Sequence, residues 1–566
     1  MSSPELNPER FLVGPVLVSA HRGDDDLLSA GLGADGLLAA TPPPLADASR
    51  PTVAELRRRA IYSNWRNIAD LASPQGLAQM ASALPSIPGR EWQAAARIAG
   101  RRQTHRLLAQ VPDAFDQRQR CLVVTAASGS RGIYGAIAVA SAWALPKGLA
   151  VVHTDKGAGC GYFDLDQNEG ADGHGNRHRG NDLVFDPRPL GPTPAHRIAM
   201  GHAHGGDNSE ADWGVQVLQA AAFGLHALDQ AFPAQAPFTA ANTRIIAVGI
   251  SNGGGAVLRA AELAADDFFA AVVAGAPNIS VAGARPLFDY ATEAALWVPA
   301  ALTTLADGPR FLTEAQRQQI VAARCQSLAA AGLIRASDLS AQTRSARAHL
   351  ADAGFSDAML QLAEFGVAGN LWRAVAASYS QAYARAAVDQ PVCGYGFAVL
   401  DAAGQPRAST AAERALWWSD SSGVAPTLGI GIVDTLASGS DPGFAALAAA
   451  RALWQGADGS ASAVRAAIAE GIANARPHAR HLHILHGIGD GLIPIDFSSR
   501  PYVAAVRANG IAIDFTELPH TQHFDAYIAL PGMGHYQALL PPLQRALDRA
   551  LAVTAATATA TPAPPQ

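Results

Sequence analysis

Residues 243–260, TRIIAVGISNGGGAVLRA, constrain this chain more than any other stretch. The run Ile245-Ile246-Ala247-Val248 has the β-branched and small apolar character of a strand buried on both faces. Residues 256–261 continue as an apolar helix, and between the two lies Gly249-Ile250-Ser251-Asn252-Gly253, a G-x-S-x-G in a strand-turn-helix setting. A serine on so sharp a turn sits in strained backbone. Its neighbours two positions away must be nearly free of side chain for strand and helix to pass each other. Gly249 and Gly253 meet that need, and Gly254 and Gly255 widen the clearance. The turn would lift the Ser251 hydroxyl above a sheet and leave the Asn252 N–H at a helix N-terminus, aimed where an oxyanion forms. A glycine-rich turn that only packs tightly, or holds an anion, has the same composition; the flanking strand and helix favour a nucleophile.

Strands and helices alternate on both sides of this motif. Residues 121–125 and 149–153 predict strands, with a Ser/Gly turn and a helix near 134–144 between them. A polar loop is expected over 156–194, a helix over 211–228, and a further strand over 269–274. Strands return at 480–486 and 511–518, and a closing helix is expected over 545–553. This rhythm predicts an α/β fold whose mostly parallel sheet is covered by helices on both faces. The first 115 or so residues carry few periodic segments and read as wrapping around that core. Between 278 and 425 the alternation stops. Helical candidates at 313–332, 337–353, 358–364 and 371–386, with no clear strand, predict a large helical lid insertion. The expected division is therefore 1–280 (wrapping segment and first part of the core), 281–425 (lid), 426–553 (second part of the core, with helices at 441–454 and 461–473 returning to the sheet) and 554–566, a low-complexity tail read as disordered.

A serine nucleophile needs a base, and the base needs an orienting carboxylate. Asp490, in His486-Gly487-Ile488-Gly489-Asp490-Gly491, lies just past the C-terminal end of a predicted strand, where open parallel sheets place their ligands. Three histidines follow the last strand: His520, His523 and His535. His523, a few residues past that strand, is the favoured base, with His535 the rival and His520 third. The chain order Ser, Asp, His is that of the α/β-hydrolases. By topology, a second oxyanion donor falls in the loop after the first interior strand, at Ser128, Gly129 or Ser130.

The 566 residues carry 42 basic and 48 acidic side chains, a net charge of −6, with no basic block. Nucleic acid is therefore not expected as a partner. No run of about 20 apolar residues predicts a membrane span. The start of the chain lacks the pattern of a signal peptide, which gives a cytoplasmic expectation. Four cysteines are too few for a disulfide scaffold; Cys121 reads as a buried thiol, and Cys325 with Cys393 could form one bridge. The stretch 164–170 begins like a calcium loop but has Glu169 at position 6 and Gly175 at position 12, so it reads as solvated loop. His174, His178, His202 and His204 lack the spacing of a zinc site, and His202-Ala203-His204 is placed at the active-site rim. No metal or organic cofactor is expected, and the sequence names no protein partner.

The chain resembles the D-(−)-3-hydroxybutyrate oligomer hydrolases over most of its length. The likeness lies in DDLLSAGLG (25–33), ELRRRAIYSN (55–64), GSRGIYGAI (129–137), TDKG (154–157), His202 to His204, SNGGG (251–255), RPLFDYA (285–291) and QHFDA (522–526). The resemblance implies an α/β-hydrolase that cuts 3-hydroxybutyrate dimers and oligomers to the monomer, with Ser251 as nucleophile and His523 as base. The segment PGMGH (531–535) is instead similar to tannase and feruloyl esterase relatives, in which such a histidine is catalytic; it supports His535 and a tannase-like or general carboxylesterase. A binding protein on the same fold, without turnover, is the alternative of another class.

Overall fold

The buried β-branched runs pair into a nine-stranded sheet: β1 (Leu12–His21), β2 (Gly89–Ala96), β3 (His105–Pro112), β4 (Cys121–Ala126), β5 (Ala150–Thr154), β6 (Arg244–Ile250), β7 (Phe269–Gly275), β8 (Ala479–Gly487) and β9 (Asp514–Leu518). In space the order is β1-β2-β3-β5-β4-β6-β7-β8-β9. This is a computed structural model, which describes residues 6–559 except 72, 74–75, 77–83, 160, 188, 306–307 and 421. From β5 to β9 neighbouring strands run parallel, while β1, β2 and β3 join as an antiparallel extension. Every residue of β4, β5 and β7 is buried, as expected where helices cover both faces. At the edge, β9 is only half-buried and carries Asp514 and Glu517, charges that discourage pairing with another chain.

Helices Ser209–Ala231, Asn252–Leu263 and Ser499–Ala508 pack one face of the sheet. Helices Val53–Ile68 and Leu540–Thr559, with the short helical turns of residues 137–147, pack the other. A third apolar core lies outside the sheet. At its centre, helix Leu287–Ala301 is buried at every position, so its hydrophobic character all round is satisfied by neighbours on all sides. Helices Glu314–Ala330, Leu339–Asp352 and Leu371–Tyr383 pack around it.

Several expectations are corrected. The first 115 residues do not merely wrap the core; they supply β1 to β3. The signal was hidden because β2 (GREWQAAA) carries charges, and its Glu91 is fully buried against Arg57. The stretch 281–425 also holds strands: Tyr395–Leu400 is the centre of a three-stranded sheet, between Pro406–Arg407 and Ile430–Asp434. Helices Phe444–Gln455 and Gly459–Glu470 do not return to the sheet. Their Ala446, Leu447, Ala450, Val464 and Ile468 belong to the third core. The polar stretch 156–194 is no plain loop, because Tyr162–Asp164 and Glu169–Ala171 form a hairpin within a four-stranded sheet. Asp164 and Glu169 are accordingly buried, with Glu169 accepting from Arg414 at 2.7 Å, so the solvated-loop reading of 164–170 fails. Cys325 and Cys393 are separate free thiols. The closing helix runs to Thr559 and buries Thr554; the remainder of the expected tail, 560–566, lies outside the described residues. Among the described residues, no helix is long and apolar enough to cross a membrane.

Candidate active site

Ser251 sits where β6 meets helix Asn252–Leu263, with φ 56° and ψ −127°. A non-glycine residue in such backbone costs about 1–3 kcal/mol and persists only when its surroundings hold it. Here Ser251 N–H donates to Gly275 O (2.9 Å), and Ser251 O accepts from Asn278 N–H (2.9 Å) and Gly255 N–H (3.0 Å). The glycines are required by close approach. A Cβ would meet Gly253 O at 2.3 Å from Gly249, Ala126 O at 2.3 Å from Gly253, and Asn278 O at 2.0 Å from Gly255.

His523 Nε2 lies 3.0 Å from Ser251 Oγ, and His523 Nδ1 lies 2.6 Å from Asp490 Oδ2. The other oxygen of Asp490 accepts from Leu492 N–H (2.9 Å) and Ile493 N–H (2.8 Å), which fixes the carboxylate plane. Burial works against ionising Asp490, but His523 and His486, the latter 3.3 Å away, outweigh it and hold the carboxyl far below its usual range. The structure thus brings Ser251, His523 and Asp490 into one hydrogen-bonded line. His535 and His520 are exposed, and neither is bonded to Ser251 or Asp490.

The loop after β4 lies against this turn. Ser128 N–H is directed to Gly135 O at 3.3 Å. Ser128 N–H, expected as an oxyanion donor, is thus engaged elsewhere, whereas among the described residues the N–H groups of Gly129, Ser130 and Asn252 meet no acceptor. Ser130 Oγ pairs with His202 Nδ1 at 2.6 Å, which gives His202 a place beside the loop. His204 is turned away, accepting from Met200 N–H and packing on Phe397. Sequence reasoning missed two other buried residues here. Lys156 binds the loop's carbonyls, and Tyr379 accepts from Asn252 Nδ2 at 3.1 Å. Their signals, TDKG and a tyrosine on a predicted lid helix, name a family and a helix but not a contact.

A narrow cleft opens beside His523. Leu362, Phe365 and Trp372 line it from one side, and Leu492 and Phe524 from the loops that carry Asp490 and His523. Its walls are mostly apolar. His481, His483 and Asp514 place donor atoms within 4.8 Å of one another, but in the N-terminal half of β8 and at the start of β9. The strand ends that carry the Asp490 and His523 loops are the opposite ones.

Ser251, His523 and Asp490 meet at a turn and two loops that leave a mostly parallel sheet covered by helices, the arrangement of an α/β-hydrolase. Residues 2–566 match the family model described as 3HB-oligomer hydrolase. The chain belongs to this family. It is 34% identical to a D-(-)-3-hydroxybutyrate oligomer hydrolase of Paraburkholderia xenovorans over 576 residues, covering 90% of this chain and 80% of that one. A relative of the same description from Burkholderia cenocepacia is 35% identical over 591 residues, covering 92% and 83%. Among solved structures, similar chains include the cell wall degrading esterase LipA from Xanthomonas oryzae (10% identity, TM-score 0.38, 84% of this chain and 92% of that one). Feruloyl esterase B from Aspergillus oryzae is another (14% identity, TM-score 0.33, 81% and 78%).

Proposed function

We propose that this family member is a serine esterase that hydrolyses 3-hydroxybutyrate dimers and oligomers to the monomer. The observation that carries the chemistry is the unbroken line Ser251 Oγ–His523–Asp490 at 3.0 and 2.6 Å. His523 Nε2 takes the Ser251 proton as Oγ attacks the ester carbonyl carbon, and Asp490 stabilises the imidazolium. Asn252 N–H and a donor from Gly129 or Ser130 hold the oxyanion. The C–O bond to the leaving group breaks, and His523 returns its proton to the departing hydroxyl. Water, deprotonated by the same imidazole, then adds to the acyl-enzyme and frees 3-hydroxybutyrate and Ser251. The substrate class rests on the relatives' descriptions and on the mostly apolar cleft, which matches the methyl-bearing repeat.

The purified protein, given 3-hydroxybutyrate dimer and trimer beside feruloyl and galloyl esters, is expected to cleave the former at least ~10-fold faster in kcat/KM. Ser251→Ala is expected to lose about 10⁴-fold or more in kcat with an unchanged melting temperature. Faster turnover of the aromatic esters would overturn the substrate class; a Ser251→Ala enzyme within about tenfold of wild type would overturn the nucleophile.

A further inference from the structure

The loop that carries the second oxyanion donor is held from behind by a fully buried lysine. Lys156 Nζ donates to Ala127 O and, at 3.0 Å, to Gly129 O. That loop begins in contact with the nucleophile turn, since a Cβ on Gly253 would lie 2.3 Å from Ala126 O and 3.3 Å from Ala127 O. A trans peptide points its C=O and the following N–H in opposite directions. Drawing Gly129 C=O onto Lys156 therefore turns Ser130 N–H to the far side, away from the ammonium. Drawing in Ala127 C=O does the same to Ser128 N–H, which meets Gly135 O.

A second support reaches the same place from the third core. Tyr379, on helix Leu371–Tyr383, accepts from Asn252 Nδ2 at 3.1 Å. Its ring stands edge-on to His202, 4.6 Å between centroids, and His202 holds Ser130 Oγ. One tyrosine thus bears on both residues that flank the oxyanion position.

The placement of Lys156 is costly. It has φ 62° and Gly157 follows with φ 63°, so two successive residues are left-handed. Burial pushes the Lys156 amine down to about 7, with Asp155 and Glu210 opposing. Well-packed apolar side chains commonly replace buried charges without loss of stability. A strained, buried amine is therefore poorly explained by stability alone, and its two acceptors are the carbonyls of the loop beside the nucleophile.

We infer that Lys156 is a positioning residue for ester hydrolysis: it holds loop 127–130 in the conformation that presents the second oxyanion donor, while Tyr379 steadies the first. The inference rests on the serine-esterase reading of the same site. Its test compares wild type with Lys156→Met, which matches the length but lacks a donor, and with Lys156→Gln, which restores one. On 3-hydroxybutyrate dimer, Lys156→Met is expected to lose ~10²–10³ in kcat, the effect of a lost oxyanion donor, with KM within about threefold. The affinity of n-butylboronic acid, whose adduct on Ser251 is tetrahedral, should fall by a similar factor, while binding of 3-hydroxybutyrate stays unchanged. Lys156→Gln should recover at least ~10-fold of both losses. A folded Lys156→Met with kcat and boronate affinity within about threefold of wild type would overturn the inference, as would a kcat loss that spares boronate affinity. Should Lys156→Met not fold, Lys156→Leu, which also lacks a donor, takes its place: a loss of boronate affinity without loss of product affinity supports the inference, and retention of both overturns it. Turnover of the dimer by Ser251→Ala would instead remove the underlying reading.

Discussion

Ser251 shows how strain at one residue is turned to use. Its φ of 56° is held by three main-chain hydrogen bonds to strand β7, to the helix it opens and to Asn278, so the hydroxyl stays near His523 without reorganising. The imidazole is held as firmly, because Asp490 is itself fixed by two N–H groups and its charge is favoured by His523 and His486. His523→Ala is expected to cost ~10³-fold or more in kcat, and Asp490→Asn about 10⁴-fold, since the first removes the proton acceptor and the second its correct tautomer. His535→Ala should stay within about threefold, as the exposed ring bonds to neither partner. Steady-state kinetics of the three variants on one ester decide this; a large loss in His535→Ala alone would reassign the base.

At the scale of elements, the stretch QHFDA does two jobs. His523 faces the nucleophile, and Asp525, two residues on, accepts from Leu539 N–H (2.7 Å) and Leu540 N–H (2.8 Å) at the start of helix Leu540–Thr559. Burial raises the Asp525 carboxyl to about 7 against those two hydrogen bonds. The closing helix is thereby tied to the loop that carries the base. Asp525→Ala is expected to destabilise the protein by ~1–2 kcal/mol, as a lost cap does, and to lower kcat more than it raises KM. Urea unfolding and kinetics on the same preparation test both; an unchanged unfolding midpoint would show that the helix start is held by other contacts.

Across the whole molecule, one buried network fastens the antiparallel strands to the parallel core. Arg57 pairs with Glu91 (2.9 Å) and Asp25 (2.8 Å), Gln110 and Tyr134 also donate to Glu91, and His21 sits between Asp25 (2.7 Å) and Glu91 (3.4 Å). Burial works against the imidazolium, yet Asp25 and Glu91 outweigh it and raise His21 to about 9. Because the folded value lies above the ordinary 6.5, this contribution is fully present below about pH 6.5 and is lost as pH rises through about 9. The melting temperature of wild type should therefore fall more steeply than that of His21→Gln between about pH 7 and about pH 10. Parallel curves for the two proteins would show that His21 does not carry the effect.

The sequence by itself determined the elements whose signal is local. The apolar run before Ser251, the four glycines around Ser251 and the strand-end position of Asp490 are read residue by residue, because a strained turn and a fully buried strand admit few residue types. The helices of the third core were legible for the same reason, with Glu314–Ala330, Leu339–Asp352 and Leu371–Tyr383 close to the helices expected at 313–332, 337–353 and 371–386. Only the tertiary structure decided what depends on partners distant in the chain. Charged β2 is a strand because Arg57, 34 residues away, neutralises Glu91. The helices after 441 join the third core because their alanine and leucine faces pack with helix Leu287–Ala301, which a hydrophobic periodicity cannot specify. The choice of His523 over His535 came down to which imidazole reaches a serine 272 residues earlier. Lys156 and Tyr379 were hidden for the same reason: a buried polar side chain takes its meaning from the group it touches, and those groups lie on other elements.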